Sequence, residues 1–505
     1  MEYAIAVIDI GMTNKKIALY DQSLNQLDAH YKNFDPLIVD SLECHNLEEM
    51  ENWFIEELKY FAGKYPVKAV SISTHGATFV CTGKDGKAAV PCVYYTHEPS
   101  NISDEDFHGE FYKRFGKKEE LQSRTGTPAF KAMINPAKGI YFIQKKYPDE
   151  FKNVTSVIPY PQYWGFRFTG NIAAETTYLG NHTYLWDQTD SRYSGVAHNL
   201  GIASLMPEKI CKPWDVLGKI TEDLARKTSL SKDTIVTMGI HDSNSALLPH
   251  FAKKGTRGFI LNSTGTWCVI MNPVEKYEFK PDELGKVVFF NISANGTPLK
   301  TAIFLGGLEF ETWSQLFSSH HKRSDNPEWN ENLYRSILKE KKLFLLPELT
   351  QGSGQFPDSR ARITENGRNY YFDSLETAQK PPCFSDYEKL FASLRISLVM
   401  QTITALKRAG LDDACEIFTE GGFRKDESYS RLLSSALANK VFLTDISEAS
   451  ALGAAMIAKM ALKKISLSDL SSDFEISYNE QSKGFFPELE EYRKAWLSEA
   501  EKTQM

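Results

Sequence analysis

The chain has no run of eighteen consecutive apolar residues, so no membrane-spanning helix is expected. Cysteine is sparse and scattered, seven residues with no Cys-x-x-Cys pair. That odd, unpatterned set excludes a disulfide framework and a zinc ribbon, and it fits reduced thiols in the cytoplasm. Positive charge is not in excess. A net charge of −7 argues against nucleic acid or an anionic membrane as partner. No G-x-x-x-x-G-K-[ST] phosphate loop and no Gly-x-Ser-x-Gly elbow occurs, and Gly352-Ser353-Gly354 lacks the third glycine and following helix of a dinucleotide fingerprint. No basic-then-apolar leader precedes the first apolar run, so no signal peptide is expected. Triplets such as Asn181-His182-Thr183 then carry no glycosylation meaning.

What is present is an ordinary globular composition, 42% hydrophobic and 24% charged, over 505 residues. That is too long for one core, so two or more domains are expected. One pattern occurs twice. Ala6 to Asp21 and Gly258 to Met271 each read as an apolar run, a tight Gly/Thr turn and a second apolar run, which predicts two β-hairpins. Their turns offer backbone N–H groups and Thr hydroxyls that suit phosphate oxygens.

Around them, Val67–Ser73 reads as a strand, and Phe79–Thr82 with Lys84–Lys87 as a strand and hairpin turn. Helices are expected at Glu48–Tyr60, near 105–124 and 136–147, at Ser243–His250 and at Ser385–Ala409. Glu416–Thr419 and Lys440–Thr444 read as strands and Asp426–Ala438 as a helix. Asp445-x-x-Glu448 reads as a capping box opening a helix to about Leu462. Small residues from Ala449 to Ala455 predict close packing there. Segment 317–335 reads as a polar surface excursion, with His320-His321 solvated. Alternation of strand and helix indicates α/β architecture.

Three places could carry chemistry. Asp9, just before Gly11, is either a turn residue or a Mg²⁺ ligand beside a phosphate-cradling turn. Asp242 either caps its helix or serves as general base for an attacking hydroxyl. His241 reads as a packing neighbour. Gly421-Gly422, at a strand-to-helix turn, would let a flat ring or a phosphate approach the backbone.

In this order these segments resemble the FGGY family of carbohydrate kinases, over Ile5 to about Lys463. Asp9-Ile10-Gly11-Met12-Thr13-Asn14-Lys15-Lys16 is similar to its opening D-I-G-T-T-x-x-K, and Thr74-His75-Gly76 to its M-H-G turn. Gly239-x-His241-Asp242-x-x-Ser245-Ala246 and Ser263-Thr264-Gly265-Thr266-Trp267 resemble the L-rhamnulose and L-fuculose kinase forms. Glu420-Gly421-Gly422-Phe423-Arg424, then Glu448-Ala449-x-Ala451-x-Gly453-Ala454-Ala455, resembles the C-terminal signature.

The resemblance implies two similar ribonuclease-H-like α/β domains with a cleft between them, residues 1–248 on the sugar side and 249–505 on the nucleotide side. It implies ATP and Mg²⁺, a small-molecule sugar as partner, and a homodimer as one allowed assembly. Asp242 would be the catalytic base and Asp9 would work with Mg²⁺. Gly11, Thr13, Asn14, Lys16, Thr264, Gly265, Thr266, Gly421, Gly422 and Arg424 would bind ATP. Thr74, His75, Gly76, Tyr95, His97 and Asp242 would bind the sugar.

Besides Met12, which stands in place of one Thr of the opening motif, the sequence departs from the family at three points. The W-x-D-x-R sugar stretch is Tyr94-Tyr95-Thr96-His97-Glu98, so its Asp and Arg are absent. The third signature glycine is Glu420, and the usual Asn is Lys425. A 6-deoxyketose is the expected substrate, because Tyr94 and Tyr95 present apolar faces. Xylulose, ribulose or glycerol is the alternative. A non-catalytic sugar- or nucleotide-binding regulator and a chaperone-like or filament-forming ATPase are the rival classes.

Overall fold

The computed structural model describes residues 2–99, 106–375, 377, 380–446 and 448–502. Both expected hairpins form. Strand Ala4–Ile10 pairs antiparallel with Lys15–Asp21, with Asp9 opposite Lys16. Strand Phe259–Thr264 pairs antiparallel with Cys268–Pro273. The Ala4–Ile10 side chains are buried almost without alternation, as in a strand covered on both faces.

Each hairpin sits at the centre of a seven-stranded sheet. In the first, the order is Val216–Lys219, Ile235–Thr237, Val67–Thr74, Ala4–Ile10, Lys15–Asp21, Gln26–Lys32, with Ile240–His241 also on Val67–Thr74. In the second it is Tyr478–Glu480, Val441–Thr444, Glu416–Gly421, Phe259–Thr264, Cys268–Pro273, Pro298–Phe304, Val288–Ile292. The first six positions correspond one for one. In both sheets the hairpin's first strand runs parallel to the next inner strand. The sheets are thus two copies of one topology.

Helix Leu47–Ala62 begins at Asn46, whose side chain accepts from the Glu49 N–H, and it buries Met50, Trp53, Phe54, Leu58 and Phe61. Helix Tyr387–Arg408 begins at Asp386 in the same way and is buried along nearly its whole length. It is long and apolar enough to cross a membrane, but its apolar stretch is spent on the core of the second sheet. Leu394 is fully buried in that core, and truncating it to Ala would cost about 2–5 kcal/mol.

Two further helices tie the halves together. Helix Asp242–Lys254 packs against helix Ala449–Lys463. The latter lies on strands Ala4–Ile10 and Val67–Thr74 of the first sheet. The former ends against the second, with His250 stacked on Phe418 at 5.5 Å and Phe251 against Phe259 at 5.9 Å. At the crossing, Gly453 faces the Ser245 carbonyl so closely that a Cβ has no room. The expected boundary at residue 248 falls inside this continuous helix.

Four expectations change. The capping box does not form: Glu448 has a left-handed backbone, φ 57°, and caps nothing, while Asp445 accepts from the Ser477 N–H. Glu448 bonds Lys16 and Tyr31 of the other half instead. Segment 317–335 is not simply a surface excursion, since helix Gly306–His321 fills its start and helix Glu331–Glu340 its end. Phe79–Thr82 pairs with Ser156–Pro159, leaving one bridge, Thr82 to Ala88, for the local turn. The helix near 105–124 is two helices, Phe107–Phe115 and Lys118–Thr125, broken at Gly116; residues 100–105 lie outside those described.

Candidate active site

The two hairpin tips differ in how they are held. In the first, the Gly11 N–H donates to the Asn14 carbonyl at 3.0 Å. Lys15, almost fully buried, donates from Nζ to the carbonyls of Met12 at 2.7 Å and Thr13 at 3.4 Å. Burial lowers its pKa to about 8. This strap draws the carbonyls inward and leaves Thr13 and Asn14 exposed at the tip. In the second, the Gly265 N–H donates to the Trp267 carbonyl at 3.0 Å, and Gly265 and Thr266 are exposed. Gly307 approaches the Gly265 carbonyl too closely for any side chain.

The candidate carboxylates are electrostatic neighbours. Asp9 closes the first strand, and Asp242 opens the helix at its end of the Ile240–His241 strand. Removal from water pushes Asp9 up to about 6, with a further push from Asp242, and a Ser450 Oγ hydrogen bond at 2.7 Å opposes it. Removal from water also raises Asp242 to about 6, although a third of its side chain stays accessible. Asp242 Oδ1 accepts from the Ser243 N–H at 2.6 Å, a bond to the adjacent residue, while the N-cap position is His241 and carries no side-chain cap bond, so the capping expected of Asp242 does not form. His241 Nε2 lies 3.2 Å from the same oxygen.

Two repelling carboxylates suit a divalent cation between them. No group of three or more His, Cys, Asp or Glu that could hold a metal occurs among the described residues. That donor set fits Mg²⁺, which commonly takes one or two carboxylates and completes its shell with phosphate oxygens and water.

On the first-sheet side, aromatic rings crowd the Thr74-His75-Gly76 turn. His75 lies 5.3 Å from Tyr95, 5.3 Å from Tyr160 and 5.6 Å from His45. Its Nδ1 is 2.7 Å from the Gly76 carbonyl, and its Nε2 is buried without a hydrogen-bond partner among the described residues. Burial lowers His75 to about 4 and His241 to about 3, so both are neutral at neutral pH. Burial and the Asp242 charge together raise the Tyr95 hydroxyl to about 12. The Thr74 hydroxyl donates to the His75 carbonyl. Beside the turn is an apolar recess of about 40 Å³ whose walls include Ala77, Tyr95, Met133 and Ile140.

On the second-sheet side lies a cavity of about 820 Å³. Its lining includes Gly265, Gly307, Gly422 and Phe423, with Phe310 and Trp329 as apolar members. Arg395 secures the wall, donating to the Pro327 carbonyl at 2.8 Å and to Asp426 at 2.8 Å. Gly421, at φ 83°, sits against the Thr264 carbonyl, where a Cβ would collide.

Several expected residues sit elsewhere. His97 packs against Phe142 at 5.4 Å, apart from the His75 group. Thr264 lines the cavity, but its hydroxyl is spent on the Glu420 carbonyl and the Phe423 N–H. Arg424 turns away to the Thr444 carbonyl at 2.8 Å, whereas Lys425 lines the cavity. Lys16 bonds Gln26 and Glu448, spanning the halves. The Glu420 carboxylate is buried 3.5 Å from His250, away from the glycine turn. Sequence reasoning missed Gly307, Phe310, Asn326 and Trp329. A Gly306-Gly307 pair after a strand was the available signal for the first, while the polarity of 317–335 hid the last two.

Comparisons with known proteins agree with this geometry. Residues 4–249 match the FGGY family of carbohydrate kinases, N-terminal domain. Residues 256–465 match the carbohydrate kinase FGGY, C-terminal domain. The chain is 26% identical over 280 residues to a rhamnulokinase of Halalkalibacterium halodurans, covering 54% of this chain and 56% of that protein. It is 23% identical over 278 residues to a rhamnulokinase of Ligilactobacillus salivarius, covering 53% of each. The chain thus spans about half the length of the curated relatives it matches. In fold it is similar to a carbohydrate kinase from Novosphingobium aromaticivorans, with TM-score 0.77, 24% identity and 99% of both chains covered. It is also similar to a ligand-bound xylulose kinase from Lactobacillus acidophilus, with TM-score 0.79, 17% identity and 99% and 97% coverage. With family matches running through both halves, the chain belongs to the FGGY family of carbohydrate kinases.

Proposed function

We propose that this protein is an ATP-dependent sugar kinase that transfers the γ-phosphoryl group to a hydroxyl of a neutral ketose. The observation that carries the reading is Asp242, a carboxylate raised to about 6 with Asp9 as its electrostatic neighbour, in a chain that also holds a nucleotide-sized cavity in its second half and neutral histidines around its Thr74-His75-Gly76 turn. Residues 1–248 form the sugar side and 249–505 the nucleotide side.

The adenine lies between Phe310, Trp329 and the Gly421-Gly422 turn. The phosphates reach the Gly265-Thr266 and Gly11-Thr13-Asn14 tips. Asp9 holds Mg²⁺, which when bound neutralises phosphate charge. Asp242 accepts the proton of the sugar hydroxyl as its oxygen bonds to the γ-phosphorus, and the bond from that phosphorus to the β-phosphate oxygen breaks to release ADP. Positioning of the two reactants supplies on the order of 7–11 kcal/mol of the barrier. Closure of the halves excludes water that would otherwise hydrolyse ATP.

A 6-deoxyketose such as L-rhamnulose or L-fuculose fits best. The 40 Å³ apolar recess beside Tyr95 suits a methyl group, and the curated relatives named above are rhamnulokinases. The loss of the charged pair from segment 94–98 favours one second reading, a sugar-binding regulator that has given up catalysis. ATP consumption measured with and without a sugar panel separates them. A kinase consumes ATP only with its sugar, and a regulator consumes none.

A further inference from the structure

Three nitrogen atoms converge above the Cα of Gly76. A Cβ built there would lie 2.5 Å from Asn181 Nδ2, 3.1 Å from His182 Nε2 and 3.1 Å from His241 Nε2. The bare glycine therefore lets the 181–182 segment close onto the turn that carries His75. Asn181 Nδ2 lies 2.7 Å from His241 Nε2, which joins this group to Asp242.

His182 is the member whose role the packing does not explain. Its backbone is left-handed, φ 44°, an uncommon conformation for a residue with a side chain and one found at functional sites. Its Nδ1 is 3.1 Å from the Ile134 carbonyl. A carbonyl only accepts, so Nδ1 carries the proton and Nε2 is left as an acceptor. No protein donor reaches that Nε2 among the described residues, and the residue is only partly buried. The ring is wedged edge-on between Phe130 at 5.8 Å, in the first half, and Phe289 at 6.2 Å, in the second. Its orientation is thus fixed by both halves.

We propose that His182 is a specificity-determining residue whose Nε2 accepts a hydrogen bond from one hydroxyl of a neutral sugar held beside His241 and Asp242. This assignment rests on the sugar-site reading above. Neutral acceptors take over a task that a charged Asp and Arg would otherwise perform. Burial, with the nearby His241, lowers His182 to about 3, so its neutral ring offers a sugar acid no charge, while Asp9 and Asp242 repel one.

Two near-isosteric variants separate ligand contact from packing. His182→Asn places an amide nitrogen where Nδ1 stood, keeps the Ile134 bond, tolerates the left-handed backbone and lacks the Nε2 group. His182→Gln puts an amide where Nε2 stood. Calorimetric titration with L-rhamnulose, L-fuculose and D-xylulose, each without nucleotide, gives the readout. The assignment predicts that His182→Asn weakens the best-bound sugar by about tenfold or more. It predicts that His182→Gln stays within about threefold, and that both keep the wild-type ADP affinity. Equal sugar affinity in all three proteins, or parallel loss of sugar and ADP binding, overturns it, as does a wild type that binds none of the three sugars. Failure of the kinase reading alone would appear as sugar binding without ADP release from ATP, which leaves this comparison unchanged.

Discussion

Ser450 Oγ donates to Oδ2 of Asp9 at 2.7 Å, so the helix that follows Glu448 in the second half holds the candidate metal carboxylate of the first. Lys16, opposite Asp9 in the hairpin, reaches across in the other direction to Glu448. Asp9 and Lys16 of the first half are therefore both held by the segment 448–450 of the second.

Ser450→Ala removes the bond that favours the Asp9 carboxylate over its acid form, so the Asp9 pKa should rise above about 6. The variant should need about three- to tenfold more Mg²⁺ for half-maximal activity, as loss of one charge-assisted hydrogen bond implies. A Mg²⁺ titration at saturating ATP and sugar checks this, and an unchanged midpoint speaks against Asp9 as the metal carboxylate.

Asp242→Asn should lower kcat by about 10²–10⁴ with ATP still bound. In the wild type, kcat/KM should rise with pH through an acid limb near 6, because the base must be ionised. Stability runs the other way. A carboxyl raised in the folded state contributes stability that is present below its unfolded pKa, near 3.8, and lost as pH rises through about 6. The Tm of Asp242→Asn minus that of the wild type should therefore increase between pH 4 and pH 7. A difference that is flat over that range would contradict the burial argument.

Two glycines should respond differently. A Cβ at Gly265 meets only the Trp267 carbonyl at 3.7 Å, so Gly265→Val fits the fold but fills the cleft at the phosphate turn. ATP affinity should fall about tenfold, the loss of roughly one hydrogen-bonding contact, with sugar affinity unchanged by calorimetry. Gly421→Ala combines a φ of 83° with a collision against the Thr264 carbonyl, and should cost about 1–3 kcal/mol of stability in denaturant unfolding.

Much of this arrangement was readable in the sequence because it is local. The hairpins announce themselves as apolar runs flanking Gly/Thr turns, and Asp9 and Asp242 stand where a strand meets a turn or a helix. The parts that were not readable depend on distant partners. Nothing near Asp445 and Glu448 reveals that Lys16 and Tyr31, more than 400 residues away, claim Glu448 and leave the helix uncapped. Asn181-His182 acquires meaning only when Gly76 admits it beside His241. Trp329 sits in a polar stretch, and its place in the 820 Å³ cavity goes with Arg395 holding the Pro327 carbonyl. Thr264 and Arg424 occupy the expected turns, but each spends its side chain on a backbone group that the sequence does not disclose.

The recess beside Tyr95 predicts substrate preference. At saturating ATP, kcat/KM for L-rhamnulose or L-fuculose should exceed that for D-xylulose, D-ribulose and glycerol by about tenfold, or ~1.4 kcal/mol of transition-state binding. A reversed order would reject the methyl-site argument and leave phosphoryl transfer standing.

The most direct test of the central claim is ADP release from Mg·ATP by the purified chain, with and without each sugar, in wild type and Asp242→Asn. The account predicts negligible ADP without sugar, sustained release with at least one ketose, and a loss of about 10²–10⁴ in that rate in the variant. Equal ADP release with and without every sugar, or a variant as fast as the wild type, would contradict it.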